Sequence, residues 1–600
     1  MLQKLLQSAH RKYLAMVGRF ETYVRNPDMG TLPVSCTIHV PTFDLQGVDY
    51  LVQYVSHALR TGAGINVHLD NFQANHNTPP RLAECYFILH YTHPEHKSTI
   101  SYQGWSSPCL SEAPPECTVK YVSDSMTEGN EYWCLDPDPD APLDSIESSI
   151  FAAYEAGLYN QPVAFDLSAL RPDNVANELG MVSSGAVSFA FIIKRAYEFG
   201  QHQTIGSLLA FLSSFNAVLR RGGTYKNGAI TTSIPIWHPE AQAYLETPKE
   251  QYPWLKQGLV LPSDYLEFSD LLPLVYTKVN NGGLWLEKAV QQLPIGYEWL
   301  SSSSPKLKSR LRSNVCREIL IPDRATCNLS HLNAGQITNF EQLPEALCYV
   351  TQVLCELHKT APQDASRYYL PAAKDRQIGV GIVGLSNMLA IHGITYKEHI
   401  QSLKNMLDAI GDGVIWEACD KSFLPENPFA LDECSEADWL AYWLIIAYIK
   451  AARVAYSYNM FRAFTIAPTA NSSFRYEDSE FFTTSPEISP PMAHTIERIS
   501  ETQEEQDIFF YNPKAELAID VGWDTYFELV STYQRLMNAT GLGHSISFNV
   551  WEDIDQSWLQ KWADSDILTT YYRLDVDQSA LNKADQFEPR GGEIKCACGG

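Results

Sequence analysis

The sequence runs to 600 residues with 19% charged positions and a formal net charge of -26. That acidic surplus argues against a surface that tracks nucleic-acid phosphates, and no apolar run is long enough to span a bilayer. Thirteen cysteines at irregular spacings do not make a secreted disulfide framework, so a reducing, cytoplasmic setting is expected.

Residues 1–30 carry helical periodicity through Leu2, Leu5, Leu6, Ala9, Tyr13, Leu14 and Val17, and predict an N-terminal helix. Charges throughout that stretch exclude a secretory signal core. Residues 33–40, with Ser35 and Cys36 inside, alternate like a strand. Asp44 is placed to cap a helix running through Leu51, Val52, Val55 and Leu59. Thr61 and Gly62 open the turn that ends it, and residues 65–67 read as a second strand. Strand, helix, glycine turn and strand make a βαβ-like unit of an α/β fold.

Residues from about 70 to 165 read as an insertion, partly loop, with short strands such as 85–89. Cys85, Cys109, Cys117 and Cys134 fall there without a Cys-x-x-Cys pair, which argues against a zinc site. Helices are expected to about Tyr197 and over 203–219. The basic, glycine-rich loop 220–229, with Arg221 and Lys226, suits a phosphate, although such loops are commonly plain turns.

The stretch 313–319, Ser-Asn-Val-Cys-Arg-Glu-Ile, sets a thiol two residues from an amide and two from a carboxylate. In an extended strand Asn314, Cys316 and Glu318 would share one face, with Val315, Arg317 and Ile319 on the other. A sulfur, a base and an orienting amide would then reach one small ligand. The plainer alternative is a buried strand with a cysteine as filler. A second thiol, Cys327, follows a turn at 321–323.

Further on, 340–360 is predicted helical. Gly379, Gly381 and Gly384 have the wrong spacing for a dinucleotide loop and read better as a strand packed closely on a helix. A helix rich in Trp, Tyr and Ala covers about 437–456. Thr469, Ala470, Asn471 and Ser472 follow Pro468 at a strand end and offer hydroxyls and N–H groups to an anion, or simply cap a helix. Tyr571 and Tyr572 are adjacent and aromatic. From Asp575 the chain turns polar, and residues 576–600 read as a flexible tail carrying Cys596 and Cys598. That pair suits thiol–disulfide exchange or metal capture better than core packing.

Taken together these motifs resemble the catalytic (alpha) subunit of ribonucleotide reductase over most of residues 30–600, the insertion aside. Asn314-x-Cys316-x-Glu318 looks like the family's finger loop. Cys36 and Cys327 look like its two reducing cysteines. Pro468 to Ser473 looks like its substrate-phosphate loop, and Ser35, Thr61 and Gly62 resemble further substrate contacts. Tyr571 and Tyr572 look like the radical-relay pair of class I enzymes, and Cys596 and Cys598 like the tail shuttle.

The resemblance implies an α/β fold, a ten-stranded barrel with a central finger loop over 31–575. It implies thiyl-radical reduction of ribonucleotides, expected to be diphosphates, to deoxyribonucleotides. It also implies no metal or cofactor bound directly, a radical from a metal-containing small (beta) subunit, thioredoxin or glutaredoxin as reductant, and a homodimer. The expected setting is cytoplasmic, or host cytoplasm for a virus-encoded chain. Only 35 residues precede Cys36, so no ATP-cone on-off site is expected. Asp44, Arg221 and Lys226 are candidates for dNTP or ATP effector contacts. The alternatives are a class II enzyme using adenosylcobalamin, a nucleotide-binding relative without chemistry, and an acidic structural protein with a metal-binding tail.

Overall fold

The computed structural model describes most of residues 35–574 and three short strands before them. Residues 1–16, 75–86, 105–117, 124–145, 170–184, 220–228, 302–309, 361–369, 430–433, 470–472, 500–505 and 575–600, with shorter gaps elsewhere, lie outside the described residues. The chain forms two compact units. One takes Met1–Thr37 and Leu259–Cys596, and the other takes Ile38–Gly258.

The larger unit is built on a five-stranded sheet. Its order is Val17–Phe20, Leu329–Asn333, Gln377–Val383, Arg462–Ile466 and Gly543–Ile546. The first pairing is antiparallel and the other three are parallel. Parallel neighbours need a long crossover. Helices Leu343–Thr360, Glu436–Ser457 and Trp523–Ala539 lie in the three crossovers. Residues 377–383 are buried throughout, as expected of a parallel strand covered on both faces.

Local chemistry explains the helix ends. Ser435 accepts from the Asp438 N–H and the Asp438 carboxylate accepts from the Ser435 N–H, a capping box that starts the Trp/Tyr/Ala-rich helix. The glycines near 380 serve close approach. A Cβ on Gly381 would stand 2.4 Å from the Thr465 carbonyl oxygen, and one on Gly379 would stand 2.6 Å from Ile319 Cδ1. Gly381→Ala should therefore destabilise the protein by about 1–3 kcal/mol, read as a lowered urea midpoint, because backbone rather than a pliable side chain must yield.

In the smaller unit, Asp44 caps helix Leu45–Arg60, its Oδ1 accepting from the Gly47 N–H at 3.0 Å. Strands Gly64–His68 and Ala229–Pro235 pair in parallel. The insertion is more regular than its composition suggests. It contributes to a four-stranded sheet in the order Thr99–Gly104, Phe87–Thr92, Val163–Ala169 and Thr118–Ser123. Helix Ile146–Leu158 meets helix Gly185–His202 at two glycines: a Cβ on Gly157 or Gly200 would lie 2.1 Å from a carbonyl of the facing helix.

One expectation needs correction, and another goes beyond what the described residues show. Within 1–30 the described residues form strands Val17–Phe20 and Tyr23–Asn26, not helix. Val17, Phe20, Tyr23 and Val24 suit a pleated strand, and Leu329–Asn333 supplies a ladder partner for the first of these strands. Nor do the described residues close ten strands into a barrel. Val17–Phe20 and Gly543–Ile546 remain the edges of an open sheet. Among the described residues, no helix is long and apolar enough to cross a membrane.

Candidate active site

Residues 312–321 fold as a narrow hairpin. Arg312–Ser313 pairs antiparallel with Leu320–Ile321, and the Asn314 N–H donates to the Ile319 carbonyl at 2.8 Å. Residues 314–319 are therefore a turn and not an extended strand, so the alternation of faces fails. Arg317 takes φ 71°, the left-handed region that non-glycine residues seldom enter. Asn314 and Glu318 nevertheless meet, because the turn folds one onto the other. Asn314 Nδ2 donates to Glu318 Oε1 at 2.8 Å, and Asn314 Oδ1 accepts from the Ile319 N–H at 3.2 Å. Cys316 sits between them and is 5% exposed.

The tip is held by its own carbonyls. Those of Cys316, Arg317 and Glu318 receive the hydroxyls of Ser547 at 3.4 Å, Thr569 at 2.7 Å and Thr465 at 2.9 Å. The Ser545 N–H also donates to the Glu318 carbonyl at 2.9 Å. Buried carbonyls need such partners. Thr465, Ser545, Ser547 and Thr569 were not picked out from the sequence, since isolated small hydroxyl residues carry no motif.

Arg317, expected to face away, is fully buried and pairs with the equally buried Glu287 at 3.0 Å. Its guanidinium lies 5.6 Å from the centre of the Trp285 ring. Trp285 packs against Tyr571 and Tyr572, with ring centres at 4.7 and 5.4 Å, and the two tyrosine rings are 4.2 Å apart. The two tyrosine rings are in contact, tilted 60° to each other. The pair begins two residues after Thr569, whose hydroxyl holds the finger.

The two candidate reducing cysteines come together through the backbone. Thr326–Cys327 pairs antiparallel with the start of strand Ser35–His39, placing Thr326 opposite Cys36 and Cys327 opposite Ser35. The side chains of Ser35, Cys36 and Cys327 are outside the described set. Cys316 is disulfide-bonded, and its partner cysteine also lies outside that set.

Thr469 follows strand Arg462–Ile466, and the anion expected there meets competition. The Thr469 N–H donates to Glu487 Oε1 at 2.8 Å, and Thr469 Oγ1 accepts from the Glu487 N–H at 2.8 Å. Burial pushes the Glu487 carboxyl up to about 7, against the lowering effect of its bonds to Thr469 and Ser489. Between pH 4.5 and about 7 the unfolded chain releases this proton while the folded chain keeps it. Folding should then lose about 3 kcal/mol as pH rises through that window, and Glu487→Gln should flatten that slope in urea titrations across it.

Thr61, Gly62, Arg221, Lys226, Ala470, Asn471, Ser472, Cys596 and Cys598, and the insertion cysteines Cys85, Cys109, Cys117 and Cys134, lie outside the described residues. Asp44 is described, and its carboxylate is engaged as the helix cap. Among the described residues no cluster of His, Cys, Asp and Glu could hold a metal ion.

Residues 306–411, which include the finger, match the family model of the ribonucleotide reductase barrel domain. No curated protein matches the chain. Among solved structures, a B-12-dependent (class II) ribonucleotide reductase matches at TM-score 0.54 and 11% identity, covering 92% of this chain and 81% of that one. An Actinobacillus ureae class Id ribonucleotide reductase alpha subunit matches at TM-score 0.40 and 15% identity, covering 78% and 85%. The fold is thus an α/β fold of the ribonucleotide reductase kind, and the finger lies within the stretch that carries the family's sequence.

Proposed function

We propose, from the premise that this chain is a ribonucleotide reductase catalytic subunit, that it reduces ribonucleoside diphosphates at the finger loop by thiyl-radical chemistry. The observation that carries this reading is the contact between Asn314 and Glu318 on either side of Cys316, on a tip clamped by three hydroxyls. The ten-stranded barrel of the family is the proposed enclosure, since a radical needs shelter from water and stray reductants.

In this reading a small subunit delivers the radical through Tyr572 and Tyr571 to the reduced Cys316. The sulfur takes the ribose 3′-hydrogen, Glu318 takes the 3′-hydroxyl proton and Asn314 orients the sugar. Water leaves C2′. Cys36 and Cys327 supply two electrons and two protons and become a disulfide, Glu318 gives its proton back to the 3′ oxygen, and Cys316 returns hydrogen to C3′. Cys596 and Cys598 reduce that disulfide by exchange, and thioredoxin or glutaredoxin resets the tail. Substrate phosphate is assigned to Thr469 and its neighbours with Ser35, Thr61 and Gly62. A dNTP or ATP effector is assigned to Asp44, Arg221 and Lys226 in a homodimer.

A second reading is an adenosylcobalamin-dependent enzyme with no small subunit, a class whose solved structure shares this fold. The contact between Tyr571 and Tyr572, with ring centres 4.2 Å apart, favours the first. The test is deoxycytidine product from CDP with dithiol reductant, supplied in one arm with small subunit and in the other with adenosylcobalamin. Product in the first arm alone is expected. Product in the second arm alone selects the class II reading, and nucleotide binding without product in either arm overturns both.

A further inference from the structure

Next to the candidate thiol stands an ion pair that the proposed chemistry does not use. Glu287 and Arg317 are both fully buried and their charged atoms are 3.0 Å apart. Glu287 Oε2 also accepts from the Ser313 N–H at 3.3 Å and from the Ser313 hydroxyl, and Arg317 Nη1 donates to Ser313 Oγ at 2.8 Å. The pair thus fastens the base of the hairpin and its tip to strand Trp285–Lys288.

A buried ion pair is a poor device for stability alone. Desolvating both charges offsets most of their attraction, and apolar residues of similar volume often serve as well. Its connections suggest a different use. Glu287 is bridged through the backbone to Thr569, and Thr569 donates its hydroxyl to the Arg317 carbonyl. Arg317 is therefore held at both ends, side chain by Glu287 and carbonyl by Thr569. This grip explains how a non-glycine residue keeps φ at 71°. On one side, the next residue along the chain is Cys316. On the other, the Arg317 guanidinium lies over Trp285, which touches both Tyr571 and Tyr572.

We infer that Glu287 and Arg317 are positioning residues that lock the Cys316 tip to the wall formed by Trp285, Tyr571 and Tyr572, so that sulfur and tyrosines keep one fixed separation. The inference rests on the proposed radical transfer for its purpose but not for its geometry. It requires the pair to govern turnover and access to the thiol while leaving nucleotide binding alone.

The test uses the full chain, reduced, in four forms: wild type, Glu287→Gln, Arg317→Lys and the double variant Glu287→Leu with Arg317→Met. In Glu287→Gln, kcat should fall by about 10²-fold with KM for CDP unchanged. Arg317→Lys keeps the charge and should retain most of kcat. The double variant should melt with wild-type cooperativity and still show the loss in kcat, separating position from stability. Independently of turnover, alkylation of Cys316 by iodoacetamide, read by mass spectrometry, should quicken about tenfold in Glu287→Gln as the tip opens locally. A double variant that folds and turns over normally overturns the inference. So does unchanged alkylation in Glu287→Gln, even where no form makes product and the functional reading has failed on its own account. If the double variant does not fold, Arg317→Lys decides, and a loss there as deep as in Glu287→Gln with KM rising in step overturns it too.

Discussion

Cys316→Ser should reduce deoxyribonucleotide formation to below about one thousandth of wild type, with the fold and CDP binding intact. The substitution exchanges one heavy atom in a site that is 5% exposed, so little volume is lost. Three neighbouring hydroxyls hold the backbone of the tip, and none of their bonds uses the sulfur. What disappears is an S–H bond weak enough to be made and broken with a carbon-bound hydrogen. A serine O–H is far stronger, so a serine cannot carry the radical forward. The measurement is product from CDP beside equilibrium binding of CDP. Full activity in the variant would place the chemistry elsewhere, and binding lost along with activity would make Cys316 a structural residue.

The second large effect is expected at Tyr571. Tyr571→Phe keeps a ring of the same shape against Trp285 and Tyr572, whose centres lie 4.7 and 4.2 Å away. Stability should therefore change by no more than about 1 kcal/mol. The O–H that a relay tyrosine gives up and regains is gone. Turnover supported by a small subunit should fall by roughly 10³-fold, with KM for CDP unchanged. Adenosylcobalamin in place of the small subunit supplies the contrast. Turnover that survives in Tyr571→Phe under that condition assigns the chain to the second reading, because the tyrosines would then lie off the path.

Much of this arrangement can be read along the chain where the signal is local. Ser435 and Asp438 announce a helix start, and Asp44 announces another, because a cap is made within three residues. Gly379 and Gly381 indicate close approach rather than a nucleotide loop, and the structure places them against Ile319 and Thr465. The finger is different. Its residue types point to a thiol, a base and an amide, yet period-two alternation does not foresee the turn that folds Asn314 onto Glu318. Alternation holds only while the backbone stays extended, and the chain turns back on itself between Asn314 and Ile319. The N-terminal strands differ for a related reason. The periodicity of residues 1–17 suits a helix, but Val17–Phe20 finds a ladder partner more than 300 residues along the chain.

The order of residues along the chain sets which groups are available: the Asn314, Cys316, Glu318 triplet, the thiols Cys36 and Cys327, and the Tyr571–Tyr572 pair. Their types are covalent facts, and no packing can change them. Tertiary structure alone decided who touches whom. It brought Glu287 to Arg317, the hydroxyls of Thr465, Ser547 and Thr569 to three successive carbonyls, and Glu487 to the Thr469 amide. The reason is burial. Once the tip is closed off from water, each polar group on it must find a partner in space, and the nearest one belongs to a strand that sequence distance does not reveal.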